Sequence, residues 1–400
     1  MGSDARKSML LLAAGMVLVA ANLRAAASSV GPLLDRIRDD LGLSSTAAGA
    51  LTTLPVLCFA LVAPLGPTLA RRIGYQAAVG VALGALIAGL LIRLLPGVAP
   101  LYLGTTIAGA GIAVGNVLLP VLVRRSFHER AGLMTGIYTT ALIASAALAA
   151  AVSVPLANAF NDSWRASLGF WAAPAMLGLL AWTPQLRRHE RDVGSRESAL
   201  PARSLVRDPL AWQVTAYFGF QSCSFYIVLS WLPTIFQSHG IGRTTAGLLL
   251  GVSMIAGLPG ALLLPTVAAR ARDQRWFAFA YSCFVAAGFA GLLAAPTSAP
   301  YLWVVLIGMG QQASFPLALI LVVLRSRSVA ETAGLSTLMQ GMGYLLAAAG
   351  PVAVGALHDL TDSWNPAIVV LLALTALQST AGLAAGRDRK LAAVPGGVPA

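Results

Sequence analysis

Apolar stretches recur from one end of the chain to the other, separated by short charged or Pro/Gly-rich breaks such as "ARRIGYQ", "LPGVAP", "RRSFHERAG", "NDSW", "ARARDQRW" and "HDLTDSW". Each stretch runs to about 20 residues, the helical length that crosses a ~30 Å hydrocarbon core. Cutting at the breaks predicts twelve spans, at 8–31, 44–70, 75–95, 99–124, 132–156, 164–184, 209–237, 243–269, 274–295, 299–325, 331–356 and 363–385. The alternating segments of about ten residues that mark a transmembrane β-barrel do not occur. The predicted class is an all-α integral membrane protein with twelve transmembrane helices.

The longest break, 185–208, carries six arginines and divides the chain into an N-terminal six-helix half (1–184) and a C-terminal half with a short tail (209–400). Internal repetition supports the division. "GLSSTAAGALTTLPVLCFALVAPLGPTLARR" (42–72) aligns with "GIGRTTAGLLLGVSMIAGLPGALLLPTVAAR" (240–270), and "RRSFHERAGL" followed by "NDSW" finds "RSRSVAETAGL" followed by "TDSW". Six spans return the chain to its starting side, so two pseudo-symmetric halves with the same orientation are expected.

Composition agrees: 57% of residues are hydrophobic and 10% charged, against roughly 25% charged in soluble domains. The net charge of +12 would suit a nucleic-acid partner, but the charges sit where a bilayer sorts them. With the N-terminus inside, 21 of the 27 Lys and Arg fall on the cytoplasmic side, while Arg36, Arg38, Arg93, Arg165 and Arg243 fall outside. That asymmetry predicts a multi-pass protein of the plasma membrane with both termini cytoplasmic, the lipid bilayer as partner and no nucleic acid. The basic start and first apolar run superficially resemble a signal peptide, but are read as the first span. Cys58, Cys223 and Cys283 lie in apolar segments at irregular spacing, which fits packing and neither a disulfide framework nor a metal site.

All fifteen Asp and Glu and all four His fall at span ends or in breaks, which leaves Arg24 as the one charge predicted inside. An arginine at bilayer depth costs about 2.5 kcal/mol or more and normally faces an aqueous cavity. Its guanidinium fork suits a carboxylate, cyanate-like or other small anion; the alternative is a structural lock on helix-end carbonyls or Asp35. Other polar span residues are candidates for a lining. Asn116 precedes Pro120 by four residues and Gln312, beside Gln311, precedes Pro316 by four, so each amide stands next to a carbonyl that proline frees. Gln340 and Tyr344 share a helix face. Gln221 and Tyr226 lie in span seven, the counterpart of span one, and Tyr138 lies in span five. Asn22 points away from Arg24 on a regular helix. For each of these amides and phenols, interhelical hydrogen bonding is the competing role.

"NLR...SSVGPLL", "AGALTTLPVL", "GNVLLPVLVRRSF", "SWLPTIF" and "GMGQQASFPLALILVVLRSR" resemble the cyanate and 2-nitroimidazole transporter family of the major facilitator superfamily, over about residues 15–385. The resemblance implies secondary transport in a bacterial inner membrane, with the substrate site between the halves near mid-membrane and Arg24 as an anion contact. The superfamily's loop between spans two and three corresponds here to Gly66, Arg71 and Arg72, which implies a role in conformational gating. Ala70 stands where the motif's aspartate is usual, and Ala25 follows Arg24 where the family has proline.

The expected function is alternating-access transport of a small anionic molecule, without cofactor or metal, with protons as the candidate coupling ion. The alternative is export of neutral or weakly polar compounds such as nitroimidazoles or drugs, with Arg24 structural. An enzyme is not expected: the histidines form no metal-spaced set, and no nucleophile has a base and an orienting partner nearby.

Overall fold

In the computed structural model, which describes residues 3–43, 45–186 and 205–392, every regular element among the described residues is helical. In chain order the α-helices are α1 Ser3–Ser28, α2 Leu34–Leu41, α3 Ser45–Val62, α4 Leu65–Ile73, α5 Tyr75–Ile92, α6 Val98–Ser126, α7 Ala131–Ala159, α8 Trp164–Phe170 and α9 Ala172–Leu186. They continue with α10 Pro209–Ser238, α11 Arg243–Ala256, α12 Leu258–Arg270, α13 Arg275–Ala294, α14 Pro300–Arg325, α15 Val329–Thr361 and α16 Asn365–Ala385. The predicted linker lies mostly outside the described residues, since 187–204 are not among them.

Among the described residues ten segments are long and apolar enough to cross a membrane, and the bent pair Thr53–Val62 and Leu65–Ile73 makes an eleventh. The remaining predicted span is α10, 30 residues long. Gln213, Gln221, Ser222 and Ser224 lower its hydropathy, so its polarity and not its length sets it apart.

Several predicted spans are interrupted. Span one ends in a 3-10 turn at Gly31–Leu33, where Pro32 withholds a donor, and is followed by the amphipathic α2. Span two breaks at residues 63–64, and α3 and α4 differ in direction by 56°. Span eight breaks at Gly257, two residues before Pro259, and span six at Trp171, three residues before Pro174. Side chains cap the starts of α10 and α15: the Asp208 carboxylate accepts from Leu210 N–H at 2.8 Å, and the Ser328 hydroxyl accepts from Glu331 N–H at 3.1 Å.

The contacts divide the chain into two compact units, residues 1–126 with 137–198, and residues 127–136 with 199–400. In the first, α6 packs against α1, α3 and α5, and α9 against α1 and α5. A satellite core of Val30, Leu33, Ile37, Leu51, Leu101 and Trp164 holds the α1–α2 corner. In the second, α10 packs on α15 and α16, and α14 on α11, α12 and α13. Cys58 and Cys223 are buried as packing residues would be, whereas Cys283 is exposed.

The internal repeat is visible in the packing itself. A Cβ on Gly89 would strike Gly104 O and Ala108 N; one on Gly288 would strike Trp303 O and Ile307 N. Gly111 lies against Ala82 O and Leu86 N, and Gly310 against Tyr281 O and Val285 N. Gly109 faces Pro55 and Cys58, and Gly308 faces Ser253. The α5–α6 and α13–α14 pairs are therefore the same close-packed unit built twice, each held by glycines that let backbones meet.

Candidate functional site

In the second unit most of the predicted polar residues come together between α10, α14 and α15. Gln221 Nε2 donates to the main-chain carbonyl of Gln311 at 3.2 Å. Gln311 Nε2 returns the link to Ser224 Oγ at 2.9 Å, and Ser222 Oγ donates to Gln221 Oε1 at 3.2 Å. The accepting carbonyl is that of Gln311, one residue before the carbonyl that Pro316 deprives of its usual donor.

Beside this layer stand the aromatic residues. Gly219 and Gly343 bring the α10 and α15 backbones together, since a Cβ on Gly343 would enter the Phe218 ring. Tyr344 meets Phe218 edge-on, with centroids 5.2 Å apart, and lies 6.5 Å from the Tyr226 ring. Tyr344 is buried and Tyr226 half-buried. Gln340, one turn before Tyr344, donates along its own helix to Ser336 Oγ at 3.0 Å. Gln312 is placed apart from the layer, its Cβ pressed against Gly257 at the α11–α12 break.

In the first unit Arg24 is half-buried on α1, deep in the span Met9–Leu33. Its neighbour Leu23 fills the space left by Gly115 of α6, and Asn116, the next residue on α6, is buried. Asn22 turns the other way: its Nδ2 donates to Leu18 O at 2.8 Å and packs on Gly178 of α9. Tyr138 is buried in α7.

The predicted gating residues lie elsewhere, on α4. Arg71 Nη2 donates to Thr68 Oγ1 at 3.3 Å, and Thr68 in turn donates to Pro64 O at the helix break. Arg72 is exposed and, with Thr68, supplies the polar part of a largely apolar groove of about 430 Å³ between α3, α4, α5 and α6. A Cβ on Gly66 would meet Val117 at an ordinary 3.6 Å, so the backbone there makes no demand for glycine.

Three features went unread in the sequence. Ser222, Ser224 and Ser336 carry the amide hydrogen bonds, but serine in a small-residue span looks like packing. Arg325, the last residue of the predicted span 299–325, is buried and donates from Nε to Ala385 O (2.9 Å) and from Nη2 to Gly386 O (2.9 Å) and Gln274 Oε1. Arg93, counted on the outer side, is only 1% exposed. The apolar run "GLLIRLLPG" gave no sign that α6 leaves room for a side chain at Gly104, where Arg93 Cγ lies.

Among the described residues no three of His, Cys, Asp and Glu gather as a metal site. The profile of the Major Facilitator Superfamily matches residues 12–351. The chain belongs to that superfamily. It is 39% identical to the 2-nitroimidazole transporter of Escherichia coli K12, over 96% of this chain and 98% of the other. It is 31% identical to the cyanate transport protein CynX of the same organism, over 87% and 90%. In fold it resembles the proton:xylose symporter XylE, with a TM-score of 0.76 at 12% identity, covering 96% of this chain and 97% of that one. The protein is thus a multi-pass secondary transporter of the cyanate and 2-nitroimidazole transporter family with the major facilitator fold, and not an enzyme.

Proposed function

We propose that this transporter moves a small anion, cyanate-like or a small organic carboxylate, by alternating access, with Arg24 as the substrate's counter-charge. The observation that carries the reading is a permanent cation on α1 that lies deep in a span yet stays half-buried. The guanidinium offers directed donors to a small anion, which neutral amides and phenols do not match. The transport of cyanate by a relative 31% identical to this chain supports the same substrate class. The Lys and Arg asymmetry supports cytoplasmic termini.

The test is thermal unfolding of the purified protein with cyanate, formate and neutral 2-nitroimidazole, alongside Arg24→Gln. A ligand at 100 times its dissociation constant adds about 2.7 kcal/mol to the folded state. Stabilisation of the wild type by an anion and not of Arg24→Gln is expected. Equal stabilisation of both proteins, or a response to 2-nitroimidazole alone, would overturn the anion reading.

A further inference from the structure

Arg93 caps the C-terminal end of α5 and is 1% exposed. Its Nη1 donates to the carbonyl of Ala26 at 3.3 Å, a carbonyl that Ser29 Oγ already reaches at 3.2 Å. Its Nε is buried with no hydrogen-bond partner, and among the described residues no carboxylate forms an ion pair with it. A buried cation with one neutral acceptor is an expensive arrangement. Arg325 shows the contrast, since its buried guanidinium meets three acceptors and closes the ends of three helices.

The repeat shows that the fold does not ask for this charge. Gly89 and Gly288 occupy equivalent places, each against the matching pair of residues on the next helix. Four residues beyond Gly89 stands Arg93, and four beyond Gly288 stands Leu292, wholly buried. The same close-packed helix pair therefore closes around an apolar side chain in one half and around a guanidinium in the other. A carbonyl cap on α1 would need only a neutral donor, and Ser29 already supplies one.

We infer that Arg93 is a second fixed positive charge of the anion pathway, held against the α1 turn that follows Arg24 and acting on the anion through space. The inference rests on the anion reading of Arg24. Its contact at Ala26, two residues past Arg24, places the charge on the same end of α1, and the low-dielectric surroundings let it act with little screening. It is a positioning residue in the electrostatic sense: it attracts and retains the anion while Arg24 makes the directed contact.

Three variants separate charge from cap. Arg93→Gln keeps a donor for Ala26 O and removes the charge; Arg93→Leu installs the residue that the other half uses; Arg93→Lys keeps the charge and loses the fork. Each is compared with wild type by thermal unfolding without ligand and by cyanate titration at low and high salt. Arg93→Gln and Arg93→Leu are expected to fold with stability near or above wild type and to bind cyanate about tenfold or more weakly, while Arg93→Lys retains binding. Wild-type cyanate affinity in a folded Arg93→Gln, or unfolding of Arg93→Leu with Arg93→Gln intact in both readouts, would make Arg93 a structural cap and overturn the inference. Cyanate binding lost in Arg24→Gln but kept in Arg93→Gln sinks this inference alone. No anion response in wild type sinks both it and the anion reading.

Discussion

The side chain of Gln221 and the main chain of Gln311 join α10 to α14 through one hydrogen bond of 3.2 Å, and the Gln311 amide answers with a bond of 2.9 Å to Ser224. Each glutamine is at least 97% buried. The two bonds run in opposite senses between the same helices, so the amides fix both the spacing and the rotation of α10 against α14.

Replacing Gln311 by Leu keeps the main-chain acceptor for Gln221 and removes the donor to Ser224. Interhelical hydrogen bonds in membranes are worth about 0.6–2 kcal/mol, so Gln311→Leu should lower stability by that order and no more. A carrier that also uses this layer for substrate should lose more transport than stability. Unfolding midpoints measured beside uptake rates in vesicles check the prediction; parallel losses would confine the layer to helix packing.

The glycines predict opposite outcomes for one substitution. A Cβ on Gly308 would overlap the carbonyl of Ser253, backbone against backbone, with no flexible side chain to yield. Gly308→Ala must therefore separate α14 from α11, and expression of folded protein should collapse. Gly66, although it begins the loop motif, faces Val117 at 3.6 Å. Gly66→Ala should change stability by less than about 1 kcal/mol, given the helix propensity gain. Detergent-stable yield by size-exclusion chromatography distinguishes the two, and a folded Gly308→Ala would contradict the packing described.

The same residues show what the sequence could and could not reveal. Span lengths, breaks and the two-fold repeat follow from local apolar runs, and they place α5, α6, α13 and α14 correctly. The bend at residues 63–64 was missed because Pro64 and Pro67 lie in an otherwise unbroken apolar run. Gln221 and Gln311 were singled out as amides, but their pairing depends on two helices 90 residues apart in sequence, which no local pattern encodes. The burial of Arg93 was unreadable for a related reason: whether an arginine at a helix end snorkels to the interface or turns inward depends on the neighbouring helix, here the space over Gly104.

Outside the spans, the Asp273 carboxylate accepts from Arg275 Nε at 2.6 Å and from Arg275 N–H at 2.8 Å. The side-chain bond from Arg275, reinforced by the backbone bond and opposed by desolvation, holds the carboxyl below its ordinary value. Because the folded state lowers this value, the pair stabilises the protein above the unfolded carboxyl's titration near pH 3.9, and that stabilisation disappears as pH falls through the lower, folded value. Asp273→Asn should therefore be less stable than wild type at pH 7, with a small difference that stays flat from about pH 5 to 8 and shrinks as the pH falls through the lowered folded value. Unfolding midpoints of both proteins across that range check the sign; a gap that widened on acidification would refute it.

Arg325 provides the sharpest contrast with Arg93 and a severe expected loss. Its three acceptors, Ala385 O, Gly386 O and Gln274 Oε1, belong to the end of α16 and the turn before α13, and Gln274 in turn donates to Ala268 O and Ala271 O at 2.8 and 2.7 Å. One guanidinium thus joins the ends of α12, α14 and α16 to the start of α13. Arg325→Leu strands buried acceptors at about 1–3 kcal/mol each, enough together to consume most of a marginal stability. Arg325→Lys, a point donor without the fork, should restore only part of it. The expected ranking of thermal midpoints is wild type, then Arg325→Lys, then Arg325→Leu, with Arg93→Leu near wild type. Had both buried arginines been structural, the two leucine variants would fall together, so their separation in one unfolding series tests the packing role of Arg325 and the free charge of Arg93 at once.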